Sequence, residues 1–419
     1  MPPVINKEVV ALFDASKDWA KKRMAKLLEK SATTNTNFPI YKLVIIVLIA
    51  CAVFYFYFKI RQRLETPVNI ATLAKASIGA NVRYSQTNNE RIGIRQYLVN
   101  LRQASVPDTH LVLTNFYIST VNASGLFYPI VDGVISPEAV RAAILGGARS
   151  FVFDLWPDLS PGAGFGPVIQ TVESGSLWRR ISMNSIPFSY VLKVLVEEAF
   201  ELDSRPGYYD PLIIYLRFRG APRKETYNAT SRILSGLIEQ YRLSNSFNAC
   251  RNQDALFSTP ITDLFRKVIV ASNVHAEGTN LRDYINIGPK AGVKMEYTVN
   301  EARGMNSESM MQTKRIIMQN LTWVAPLSED GNAEKNGWDF KPSMDIGIMF
   351  CAMNFWDNND KLKQYMSPDF FGKQSFKIKP EPLRYVLEVL PTPLNPPNPG
   401  WVPSPSAGTP ISPPEISLP

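Results

Sequence analysis

Imidazole is the side chain best suited to move protons near neutral pH, and this chain has only two histidines, His110 and His275. None lies between Leu111 and Val274, so no pair of imidazoles is available there to act as acid and base. Ser/His/Asp and Cys/His arrangements are excluded for the same reason. Cys51, Cys250 and Cys351 lie far apart, without paired spacing or neighbouring ligand residues, and give neither a disulfide framework nor a zinc site. His275 follows "KVIVASNV" at the carboxyl end of a predicted strand, where it is placed to touch a ligand, although a lone loop histidine is more often simply solvated. "PGAGFGP", Pro161 to Pro167, lacks the Lys-Ser/Thr of a phosphate loop and reads as an insertion. The most pointed stretch is "GGARSFVFDLWPD", Gly146 to Asp158. It is a short buried strand with Val152 and Asp154 at alternate positions, one carboxylate where the place looks built for two.

The elements around that strand repeat. From Leu111 onward, "LVLTNFYIS", "SFVFDLW", "PLIIYLRF", "KVIVAS" and "IGIMFCAMNF" read as strands, and "SPEAVRAAILGG", "PFSYVLKVLVEEAF" and "TSRILSGLIEQYRL" read as helices. Strands and helices alternating at this spacing predict parallel β/α units.

The flanks differ from this middle. The chain has 419 residues, 45% hydrophobic and 20% charged, enough for one large core or two ordinary ones. Its net charge of +8 is spread along the sequence, and the densest basic cluster, Lys17 to Lys30, adjoins an apolar segment, so anionic lipid is favoured over nucleic acid as a partner. Residues 1–37 carry a basic amphipathic helix pattern. Residues 38–58 form an almost uncharged run ending in Phe54, Tyr55, Phe56, Tyr57 and Phe58, with Lys59, Arg61 and Arg63 following at once; it predicts one transmembrane helix. Residues 59–105 read as a polar connector with helical pieces. The last 29 residues, 391–419, contain 11 prolines, no Lys or Arg, and Glu415 as their one charge, which predicts either a disordered polyproline-type extension or an extended arm that, with the surface of the folded middle, docks on a protein partner.

"SPEAVRAAILGGARSFVFDLW" resembles the X-box of phosphoinositide-specific phospholipase C, where a helix leads through a tight turn into a strand ending E-L-D-x-W. "KVIVASN", "LRDYINIG" and "MDIGIMFCAMNFWDNNDKLKQYMSPDFFGKQSFKIKPEPLR" resemble its Y-box, including the A-L-N-F-like strand and the K-P-x-x-L-R ending. The likeness implies a distorted (β/α)₈ TIM-type barrel of the PLC-like phosphodiesterase kind, with an X-box half over 106–250 and a Y-box half over 251–390. Its site would lie at the carboxyl ends of the strands.

In that family two histidines act as acid and base, and eukaryotic members add a calcium ion held by oxygen ligands. By position, Val121 stands where the first histidine is expected, and Asn122 keeps a metal-ligand place. Val152 replaces one carboxylate, Asp154 keeps the other, and Arg217 replaces a glutamate. "GSLWRRISMN" replaces the second histidine's segment, and Ala271 and Asn273 stand at lysine positions. A permanently charged guanidinium about 4 Å from a cation costs roughly 4 kcal/mol per unit charge at an effective dielectric near 20, and twice that for a divalent ion. The resemblance therefore implies a degenerate site with no intact catalytic residue and no metal. Asn122, Asp154 and Arg217 would be its remnant, with calcium excluded, no cofactor bound, and Arg217 paired to Asp154. The functional expectation is a single-pass membrane protein, catalytically inactive, acting as a structural or binding module. A minor capsid component linking the internal membrane of a large DNA virus particle would suit that layout. The alternatives are an active phosphoric diester hydrolase with a rearranged, metal-independent site, and a lipid-headgroup sensor that does not cleave.

Overall fold

A computed structural model of the chain describes residues 91–123, 135, 137–159, 165–170, 182, 185–201, 206–305, 311–325, 338–355 and 360–385, together with 22, 25, 26 and 48–55. The chain divides into two units, Met1–Ile70 and Ala71–Pro419. In the first, residues 48–55 are helical, and Leu48, Ile49, Val53, Phe54 and Tyr55 are exposed. No helix among the described residues is long and apolar enough to cross a membrane. The rest of the expected span 38–58, nearly all of 1–37, and the arm 391–419 lie outside the described residues.

The second unit begins with α1 (Ile94–Gln103), whose Ile94, Leu98 and Leu101 recur at helical spacing and are buried. There follow β1 (Phe116–Ile118), β2 (Thr120–Asn122), α2 (Pro137–Leu145), β3 (Ser150–Pro157), β4 (Pro167–Ile169), β5 (Ile186–Pro187), α3 (Phe188–Phe200), β6 (Leu212–Phe218) and α4 (Lys224–Ile238). The second half holds α5 (Ala249–Asn252), α6 (Asp254–Phe257), β7 (Val268–Ser272), β8 (Glu296–Tyr297), α7 (Val299–Gly304), α8 (Met311–Gln319), β9 (Trp323–Val324), α9 (Lys341–Asp345), β10 (Phe350–Met353), α10 (Asp360–Tyr365) and β11 (Phe376–Ile378). The main predicted strands and helices are present. The short β4, β5, β8, β9 and β11 are additions, too brief for periodicity to reveal.

Seven strands run parallel in the order β7-β6-β3-β2-β10-β9-β8. A parallel bridge from Ala271 extends this path to Ile287. Among the described residues no ladder joins Ile287 back to β8, so the structure shows a mixed α/β fold built on a parallel sheet, and closure of the expected eight-stranded barrel is not part of what it shows. β4 and β5 add antiparallel strands beyond Asp154, and β1 pairs with β11 antiparallel.

Both faces of the parallel sheet are covered, which is why its strands read as continuous apolar runs rather than alternating ones. Val152, Ile213, Tyr215, Ile269, Ala271, Trp323 and Phe350 form the inner cluster, with Trp323 stacked on Phe350 at 4.2 Å. Phe151, Phe153, Ile214, Leu216 and Val270 pack outward against Ala143, Ile144, Phe188, Val191, Leu195 and Leu234 of the helices.

At the amino ends of the strands, buried polar groups tie the unit together. Asp210 is fully buried, accepts the Ile94 N–H at 2.7 Å, and lies 3.4 Å from Arg149 Nε. Burial raises the Asp210 carboxyl above its usual range, while Arg149, the Ile94 N–H and Arg91 act to lower it. Arg91 donates to the Gly146 carbonyl and lies over Gly147, whose φ of +91° and absent Cβ are both required, because a Cβ would overlap the guanidinium.

Candidate functional site

The register of β3 and β6 sets Asp154 opposite Arg217. Strand side chains alternate between faces. Asp154 therefore follows Val152, and Arg217 follows Tyr215, onto the inner face near the strands' carboxyl ends. The Arg217 side chain is 1% exposed and Asp154 0%, so neither charge is screened by water. Arg217 Nε lies 2.7 Å from Asp154 Oδ1 as an ion-pair contact without hydrogen-bond alignment, and Nη2 donates to Oδ2 at 3.1 Å. Its Nη1 donates to Glu296 Oε1 of β8 at 2.7 Å.

Two more groups complete the network. Arg219 Nε donates to Asp154 Oδ1 at 3.0 Å, and the Tyr215 hydroxyl donates to Glu296 Oε2 at 2.8 Å. Two guanidiniums thus meet two carboxylates. Burial alone would lower the Arg217 pKa, but Asp154 and Glu296 outweigh it and hold the group above its ordinary value, so it stays charged at every working pH. Burial, then the neighbouring Glu296 charge, pushes the Tyr215 phenol well up, which keeps it a hydrogen-bond donor.

The oxygen donors near the carboxyl ends are already engaged by protein groups. Calcium takes six to eight oxygens, whereas here Arg217 already occupies one face of Asp154 and one oxygen of Glu296. Among the described residues no group of three His, Cys, Asp or Glu could hold a metal. Asn122 is buried and donates to Asn354 Oδ1 at 3.1 Å.

The other expected positions are dispersed. Val152 is fully buried in the inner cluster, beneath Asp154. Val121 sits in the outer cluster, between sheet and helices; its strand partner is Phe151, while Asn122 pairs with Val152. A side chain at position 121 points away from Asp154. Ala271 is an inner-core residue, and the Asn273 amide bridges to the backbone of Phe218, accepting its N–H at 2.8 Å. His275 is exposed, its ring near Gly288, and among the described residues it bonds to none of the charged network. His110 lies in a turn beside Arg384, 3.4 Å from its Nη1. Of the segment "GSLWRRISMN" only Ser182 is among the described residues.

Glu296 is the member of this network that sequence reasoning missed. It lies in "VKMEYT", a strand two residues long, and its only signal was a lone acid within a short β-prone run.

No family model matches the chain, and comparison with curated proteins gives no match. Solved structures do. PLC21 of L. pealei aligns with a TM-score of 0.52 at 14% identity, over 66% of this chain and 38% of that one. PLC21 of S. officinalis aligns at 0.49, with 14% identity and the same coverage. A calcium-dependent phosphoinositol-specific phospholipase C from Pseudomonas sp. aligns at 0.38 and 7% identity, over 65% of this chain and 97% of that one. The chain thus matches well under half the length of the PLC21 structures, and what it shares with them is a phospholipase C-like fold.

Proposed function

We propose that this chain is a phospholipase C-type barrel that has given up catalysis and serves as a membrane-anchored binding or structural module. The observation that carries the reading is the Arg217 clamp between Asp154 and Glu296, which puts a permanent positive charge where the fold's chemistry calls for a divalent cation. The scarcity of histidines supports it from a second direction, since His275 and His110 are both outside the network. The apolar run 38–58 would hold the module on a bilayer and the arm 391–419 would reach a protein partner. A connector between an internal membrane and a capsid shell has that layout, and we assign the chain to that class.

Three measurements test this. Calorimetric titration of the purified full chain with calcium is expected to show no binding, and phosphatidylinositol and its phosphorylated forms are expected to survive incubation from about pH 5 to 9, the range over which imidazole titrates. Cleavage abolished by His275→Ala would instead establish a rearranged hydrolase. Separately, the full chain is expected to resist alkaline carbonate extraction from membranes, whereas a chain starting near residue 65 is expected in the supernatant.

A further inference from the structure

Between α4 and the segments 242–251 and 280–284 lies an open cleft of about 600 Å³ that shares no residue with the Arg217 network. Its walls carry three guanidiniums, Arg232, Arg242 and Arg251, and a single carboxylate, Asp283. Arg242 is held in place. It donates to Asn245 Oδ1 at 2.7 Å and to the Asp283 carbonyl, lies over the Tyr284 ring at 4.4 Å, and has Glu239 at 3.5 Å as counter-ion. Arg232 and Arg251 are exposed, and neither forms an ion pair among the described residues; the one bond of Arg232 is a 3.4 Å contact to the Asn228 carbonyl. The cleft therefore has surplus positive charge on two forked donors that match phosphate geometry. Ser235, Asn245 and Asn280 add neutral hydrogen-bonding groups.

A second observation comes from Gly236, inside α4 and on the cleft wall. Glycine weakens a helix interior, and nothing in the fold demands one here. Its φ is not in the left-handed region, and a Cβ would meet nothing within 4 Å. What the glycine does provide is open space in the cleft beside Arg232.

We propose that this cleft binds a small phosphate monoester. Arg232 and Arg251 take the phosphate, Arg242 fixes the wall against which it rests, and the amides and hydroxyls meet the rest of the ligand. The cavity volume suits a ligand of that size. Such an ester could be a soluble metabolite or the headgroup of a lipid, and the two share the chemistry read here.

Calorimetry on the full chain in detergent, with glucose 6-phosphate as the soluble probe and nanodiscs containing phosphatidic acid as the lipid probe, tests the site. Binding that weakens with added salt is expected, at least about tenfold weaker in an Arg232→Ala/Arg251→Ala variant. Gly236→Gln is expected to weaken binding likewise, by filling the open wall, while raising the unfolding temperature slightly because glutamine is the better helix former; the double arginine variant is expected to unfold at the parent's temperature. An Arg102→Ala control should bind as the parent does. Binding confined to the nanodiscs and lost in the double variant would assign the ester to a lipid and support the site. Absence of binding to either probe, or equal binding by parent and double variant, would overturn it.

Discussion

Asp154 and Arg217 are direct neighbours on adjacent parallel strands, and their side chains meet at 2.7 Å where neither is open to water. A buried pair of this kind is a weak source of net stability but a strict constraint, because removing one partner strands the other's charge. Glu296 reaches Arg217 from β8, so the pair also links distant parts of the strand path.

Reversing the charge tests what the pair replaces. Arg217→Glu brings a third carboxylate beside Asp154 and Glu296, and a loss of about 3–5 kcal/mol is expected for a broken buried pair. Millimolar calcium is then expected to raise the melting temperature of this variant by selective binding to the folded state, and to leave the parent unmoved. Arg217→Met should lose stability without gaining the calcium response. A calcium-dependent shift in the parent would show that the guanidinium does not exclude the ion.

Restoring a histidine at position 121 should gain nothing. Val121 is buried between sheet and helices, so Val121→His overpacks that layer and buries an imidazole at a cost of about 1–3 kcal/mol. Denaturant unfolding and a phosphatidylinositol cleavage assay check both halves. Turnover above the parent's would mean that position 121 does reach the site.

At the other end of the strands, Asp210→Asn removes the counter-charge of Arg149 and Arg91 and weakens the acceptor of the Ile94 N–H. Destabilisation of about 3–5 kcal/mol is expected, as for other broken buried pairs. Because that N–H opens α1, hydrogen exchange in residues 94–103 should accelerate first. Uniform exchange across the unit would contradict the placement of the anchor.

Lys379 offers a pH test. It is completely buried, its amine has no hydrogen-bond partner among the described residues, and it lies 5.7 Å from the centre of the Tyr117 ring. Burial lowers its pKa from 10.5 to about 7, with a small opposing influence from Cys351. Between those two values the unfolded chain binds more protons than the folded one, so stability rises with pH across that window and is lowest below about 7. Lys379→Met is expected to remove this slope and to stabilise the protein at pH 6 by on the order of 4 kcal/mol. A parent whose stability is flat between pH 7 and 10 would show the amine to be solvated.

Read alone, the sequence determined what is set by local pattern and by the presence or absence of side-chain types. "SFVFDLW", "PLIIYLRF" and "KVIVAS" are strands because apolar, β-branched and aromatic runs of that length suit a sheet covered on both faces. The scarcity of histidines was likewise plain from composition. The tertiary structure decided how residues meet. Strand register sets Asp154 beside Arg217, the pairing that the resemblance implied, and puts Val121 on the outer face although it adjoins Asn122. Glu296, 79 residues from Arg217, entered the network through a two-residue strand with no periodicity to betray it. Ion pairs between strands depend on register and on the curvature of the sheet, and these are set by packing across the whole core rather than by any one segment.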